Sequence, residues 1–216
     1  MSAAPALALA IVISGRGSNM AAIARACASG QIAARVARVI ADRRDAGGIS
    51  LAQALGLEVT LVPAAEFADR NAFEAALRAA IDASGAQLVI LAGFMRVLSA
   101  EFTGHYAGLL LNIHPSLLPK YSGLRTHERA LAAGETEHGA SVHFVTSELD
   151  AGPVVLQARV PVLPGDTPAS LSARVQQREH IIYPKVIGWI AAGRLRCVRG
   201  QLQFDGQALL QPLVED

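Results

Sequence analysis

The chain has 216 residues, 52% of them hydrophobic, which is enough for a full core in one domain or two closely joined halves. A net charge of +1 gives no basic field for nucleic-acid phosphates, aromatics for stacking bases are sparse, and no apolar run is long enough to span a membrane. Two distant cysteines, Cys27 and Cys197, suit reduced thiols, and the apolar opening Ala3 to Ile13 lacks the positive flank of a secretory signal, so the expected compartment is the cytoplasm.

Leu7 to Ser14 reads as an apolar strand, which Gly15-Arg16-Gly17-Ser18-Asn19 turns into a helix from about Ser18 to Ser29. A strand, a glycine turn and a helix form a phosphate cradle: glycine lets the backbone approach an anion, and the first free N–H groups of the helix hold it. Ser18 and Asn19 add side-chain donors; the plainer reading is a tight turn with a helix cap. As a dinucleotide fingerprint the motif is poor, because Met20 stands where the third glycine is required, although Asp42, after the next strand, is placed to grip a ribose.

Strands near Val36–Ala41, Glu58–Val62 and Gln87–Leu91 then alternate with helical stretches near Gly47–Leu55 and Asn71–Ala83. Such alternation predicts a parallel sheet with helices on both faces. Gly93-Phe94-Met95-Arg96-Val97-Leu98 follows the fourth strand, at the carboxyl edge where open α/β sheets bind ligands, and reads either as a ligand wall or as core.

Leu109-Leu110-Leu111-Asn112-Ile113-His114 suits a strand covered on both faces, and Pro115 ends its ladder. Alternation sets Asn112 and His114 on one face, roughly 7 Å apart. An amide donor and an imidazole side by side suit a reaction that develops an oxyanion; equally, the two side chains could only cap the strand.

Arg125–Ala133 reads as a helix and Ala140–Thr146 as a strand, with His143 on the face opposite Val142. The loop Glu148-Leu149-Asp150-Ala151-Gly152-Pro153 can hold a carboxylate rigidly before another strand, Val154–Val160. The histidines lack paired metal-binding spacings, so no metal is expected. From Thr167 or Pro168 a long helix follows whose stripe runs through Leu171, Val175, Ile182, Val186 and Trp189, with Glu179 at its edge and Pro184 expected to kink it. Glu179 suits either an arginine partner or an amine substrate. Leu195–Val198 and Gln201–Phe204 read as a hairpin.

Ser14-Gly15-Arg16-Gly17-Ser18-Asn19, Asn112-Ile113-His114-Pro115-Ser116-Leu117-Leu118-Pro119, Asp150-Ala151-Gly152-Pro153 and Arg174-Val175-Gln176 with Glu179-His180 occur in this order. In these motifs, and over nearly its whole length, the chain resembles the folate-dependent formyltransferases, on the phosphoribosylglycinamide branch. The resemblance implies an α/β, Rossmann-like fold: a mostly parallel twisted sheet flanked by helices on both faces, with a C-terminal hairpin. It implies a single formyltransferase domain over 1–216, with a phosphate-binding half at about 1–105 and a catalytic, folate-binding half at 106–216.

The activity so implied moves a formyl group from 10-formyltetrahydrofolate, a co-substrate, to the amine of glycinamide ribonucleotide in purine synthesis, without a metal. Asn112, His114 and Asp150 match the catalytic residues. Gly17, Ser18 and Asn19 match the substrate-phosphate loop, and Gln176 and Glu179 match further contacts to the same substrate. Arg70, Met95, Arg96, Val97, Leu98, Asn112 and Thr146, Ser147, Glu148, Leu149 and Asp150 match contacts to the folate. A formyltetrahydrofolate hydrolase, using water in place of the amine, is the nearest rival; it normally carries an N-terminal regulatory domain for which the early glycine loop leaves no room, and it has no use for a phosphate cradle. A nonenzymatic folate or nucleotide sensor is the other alternative, and it need not retain all three catalytic residues. Neither nucleic acid nor membrane is an expected partner, and oligomeric state stays open, a homodimer included.

Overall fold

The computed structural model describes residues 6–215; the opening residues Ala3 to Pro5 of the apolar start lie outside them. β1 (Leu7–Ile13), α1 (Ser18–Ala28), β2 (Ala34–Ala41), α2 (Gly48–Ala54), β3 (Val59–Leu61), α3 (Arg70–Ala83) and β4 (Leu88–Leu91) follow the alternation expected from the sequence. A six-residue helix, α4 (Ala100–His105), then precedes β5 (Leu110–His114). The second half holds α5 (Thr126–Ala132), β6 (Glu137–Phe144), β7 (Val154–Pro161) and α6 (Pro168–Ala191). After it come β8 (Leu195–Val198), β9 (Gln201–Phe204), β10 (Gln207–Ala208) and β11 (Leu213–Glu215).

One eight-stranded sheet runs β11-β7-β6-β5-β4-β1-β2-β3, and β8 to β10 form a separate three-stranded antiparallel sheet. The pairs from β3 to β5 are parallel, whereas β6 lies antiparallel to both β5 and β7. β5 is therefore the seam between a parallel and an antiparallel region. Burial follows from strand periodicity: on β1, Leu9, Ile11 and Ile13 enter one apolar cluster and Ala10 and Val12 the other, so both faces of the sheet are covered.

Three helix starts are fixed by side chains. Asp69 accepts from the Ala72 N–H at α3, Ser99 from the Phe102 N–H at α4, and Thr167 forms a capping box with Ser170 ahead of Pro168 at α6. α6 continues as helix through Pro184 to Ala191 and packs on α1, β6 and β7. From its buried face the Tyr183 hydroxyl lies 3.0 Å from both the Leu91 and Leu111 carbonyls, tying α6 to the carboxyl end of β4 and the start of β5.

Candidate active site

A cavity of about 1050 Å³ opens at the carboxyl ends of β1, β4 and β5. Pockets for one small ligand run to roughly 300–1,000 Å³, so this space suits two substrates meeting. Gly17, Ser18, Asn19, Gln176 and Glu179 line one part of it, Met95, Arg96, Val97 and Leu98 another. Asn112, His114, Thr146, Ser147, Leu149 and Asp150, also expected from the sequence, line the remainder.

Gly17 precedes α1 with φ 75°, and no side chain caps the helix. A Cβ at Gly17 would sit 2.8 Å from the Gly48 Cα, so glycine is needed for both conformation and space. The first-turn N–H groups of α1 thus have no side-chain cap, and Gly17, Ser18 and Asn19 bring this helix terminus to the cavity lining. Ser18 and Asn19 do more than serve that loop: the Gln176 Nε2 donates to Ser18 Oγ at 3.0 Å, and the Asn19 Nδ2 donates to Glu179 Oε2 at 2.7 Å. Burial pushes the Glu179 carboxyl above its ordinary pKa, while the Asn19 bond pulls the other way. Glu179 thus finds its partner in an asparagine of α1 rather than an arginine.

At the seam strand, Asn112 pairs in register with His143 and His114 with Ser141. Ser141 fixes the turn after β5: its hydroxyl donates to the Ser116 carbonyl at 2.7 Å and accepts from the Leu118 N–H at 3.0 Å. His143 is buried, which lowers its pKa. Its Nδ1 lies 3.0 Å from the Phe144 carbonyl, an acceptor, so Nδ1 carries the proton and Nε2 accepts from the Asn112 Nδ2 at 3.2 Å. One amide hydrogen of Asn112 is used in this bond, and the second has no hydrogen-bond partner among the described residues.

His114 is constrained in the same way. Its Nε2 lies 2.9 Å from the Tyr121 carbonyl and must donate to it; its Nδ1 faces Asp150 Oδ2 at 3.4 Å. Asp150 holds a left-handed backbone (φ 52°), its Oδ2 accepts from the Gly123 N–H at 2.8 Å, and its Oδ1 is 3.8 Å from His143 Nε2. The loop bends tightly here because Gly152 passes so close to the Phe144 carbonyl that a Cβ would fall 1.9 Å from its oxygen.

Two residues expected at the folate lie outside the cavity lining. Arg70 begins α3 outside the cavity lining, its guanidinium exposed and 3.8 Å from Glu74. Glu148 is exposed and also outside the lining. Asp42, available by sequence to grip a ribose, is instead buried against Arg96. His143 carried no expected role, although the alternation of its strand put it on a definite face; only the β5–β6 register brings it to Asn112. Phe94, from the stretch read as a ligand wall or core, also lines the cavity, as do Leu124, Arg125 and His127, which had no distinguishing signal. Among the described residues no group of three or more His, Cys, Asp or Glu could hold a metal ion, and no helix is long and apolar enough to cross a membrane.

Residues 7–187 match the formyl transferase family. Phosphoribosylglycinamide formyltransferase of Escherichia coli is 50% identical over 93% of this chain and 95% of its own length. The trifunctional purine biosynthetic protein adenosine-3 of Homo sapiens is 38% identical over 87% of this chain, which spans 19% of that longer protein. In structure, phosphoribosylglycinamide formyltransferase of Coxiella burnetii in complex with CHES superposes with a TM-score of 0.93 at 48% identity, over 98% of this chain and all of that one.

Proposed function

The chain belongs to the formyl transferase family, with the activity of a phosphoribosylglycinamide formyltransferase in purine biosynthesis, and from that premise we propose how its residues carry the transfer. The donor is 10-formyltetrahydrofolate, and the acceptor is the free amine of glycinamide ribonucleotide. The observation that carries this reading is the convergence of Asn112, His114 and Asp150 on the floor of a cavity whose other end is an uncapped helix N-terminus.

The acceptor phosphate rests on the N–H groups around Gly17 and Ser18, and Glu179 and Gln176 hold the rest of the ribonucleotide. The folate lies along Met95 to Leu98 and Thr146 to Asp150. The neutral amine attacks the formyl carbon, forming a C–N bond while the carbonyl π pair moves to oxygen; the free Asn112 N–H and the His114 imidazolium stabilise that oxyanion. The attacking nitrogen gives up a proton, folate N10 receives one, and the C–N10 bond breaks to leave the formamide and tetrahydrofolate. Because His114 Nε2 is committed to the Tyr121 carbonyl, Nδ1, beside Asp150, is the nitrogen that exchanges the proton. Residues 1–105 supply the phosphate loop and the Met95–Leu98 wall, and 106–216 supply the catalytic residues and the remaining contacts to folate and ribonucleotide. The setting is the cytoplasm.

A formyl-transfer assay with purified protein tests the reading. Tetrahydrofolate is expected to form from 10-formyltetrahydrofolate only when glycinamide ribonucleotide is present; release in its absence would make the enzyme a hydrolase.

A further inference from the structure

Asp42 follows β2 directly and is almost wholly withdrawn from solvent, at 2% exposure. Its Oδ2 lies 2.8 Å from the Arg96 Nε, whereas Oδ1 accepts no hydrogen bond among the described residues. A buried carboxylate is costly unless paired, so this one bond carries the compensation and holds Arg96 firmly. The Arg96 guanidinium also lies over the Phe73 ring, 5.6 Å from its centroid, and Phe73 is fixed in the core. Two restraints therefore act on one plane.

The backbone that carries Arg96 is pinned too. The Met95 N–H donates to Ser14 Oγ at 3.1 Å, and the Ser99 N–H donates to Glu74 Oε1 at 2.8 Å. With Nε committed to Asp42, the terminal nitrogens are what a half-exposed, cavity-lining Arg96 has left to offer. A pair of guanidinium nitrogens matches the two oxygens of a carboxylate. Folates end in a glutamate, which supplies such groups. Asp42 itself does not line the cavity.

We infer that Asp42 is a positioning residue for formyl transfer, aiming Arg96 at a carboxylate of the folate co-substrate without touching any substrate. The inference rests on the folate reading above. The acid that a dinucleotide-binding fold would spend on a ribose is used here as the anchor of an arginine.

Steady-state kinetics of the full chain test this, with 10-formyltetrahydrofolate and with the same donor lacking its glutamate, 10-formyltetrahydropteroate. Asp42→Ala is expected to raise the KM for the glutamate-bearing donor about tenfold, with kcat and the acceptor KM near wild type. Asp42→Asn, which keeps an acceptor for Nε, is expected to recover most of the loss. Neither variant should alter the KM of the glutamate-free donor, and Asp42→Ala should add nothing in an Arg96→Gln background. An unchanged donor KM in Asp42→Ala, an equal rise for both donors, or an Asn variant as impaired as Ala would each overturn the role. Should Asp42→Ala fail to fold, Arg96→Lys carries the test, because it keeps the charge beside Asp42 but loses the fork; the same selective rise is expected, and its absence overturns the proposal. A wild-type enzyme that cannot use 10-formyltetrahydrofolate at all would instead overturn the donor assignment.

Discussion

At the level of single residues, the site depends on hydrogen bonds that leave one group free. Asn112 spends one N–H on His143 and keeps one, so Asn112→Ala is expected to lower kcat by roughly 10²–10³ without moving the pH–rate profile. Asp150→Asn should also lower kcat, because it removes the carboxylate that faces His114 Nδ1 at 3.4 Å. Turnover measured at saturating substrates, with folding confirmed by circular dichroism, decides the matter: an unchanged kcat in Asp150→Asn would sink the His114–Asp150 coupling. Much of this was legible beforehand, because Asn112 and His114 end an apolar run just before a proline. The tie from His143 to Asn112 and the tie from Asn19 to Glu179 were not. Each joins residues whose proximity is set by strand register or helix packing, and neither leaves a trace in local pattern.

At the level of elements, the structure follows the sequence where periodicity is strong. The strand–helix alternation up to β4, the seam strand and the β8–β9 hairpin lie where the residues predict them. α4 gave no signal because six residues are too few to show a stripe, and β6 starts at Glu137, ahead of the expected Ala140, because His138 and Gly139 look polar and loop-like out of context. That His138 sets up a stability test. Its Nε2 lies 3.1 Å from the Nδ1 of His127, joining β6 to α5. Burial first, then the charge of His127, push His138 down to about 4, and burial lowers His127 as well. The folded state therefore refuses protons that the unfolded chain accepts below about 6.5. Stability from this pair is complete above that pH and is lost as pH falls from there toward about 4. After allowance for solvent screening, the loss should be of order 1–2 kcal/mol. Thermal unfolding of wild type and His138→Gln between pH 7 and 4.5 checks it: the variant's melting temperature should depend less on pH, and parallel curves would count against the pair.

At the level of the whole molecule, one sheet carries both halves of the site, and α6 closes the cavity over α1. Anything that binds there is bound only by the folded chain, so glycinamide ribonucleotide at a hundredfold excess over its Kd should stabilise the protein by about 2.7 kcal/mol. In Glu179→Gln the same concentration should protect less, because the acceptor binds more weakly, while protection by the folate co-substrate stays as in wild type. Equal protection of both proteins by the acceptor, read from melting curves, would leave Glu179 a structural residue. The Asn19–Glu179 bond also spans 160 residues of chain. Contacts so distant form late, since loop closure must be met before they reward it. During synthesis the glycine loop before α1 leaves the ribosome long before α6 exists to meet Asn19, so a nascent chain holds that loop without the Glu179 partner it has in the folded protein. In refolding, activity should return after the helical signal has recovered, which makes catalysis a stricter clock of native assembly than secondary structure.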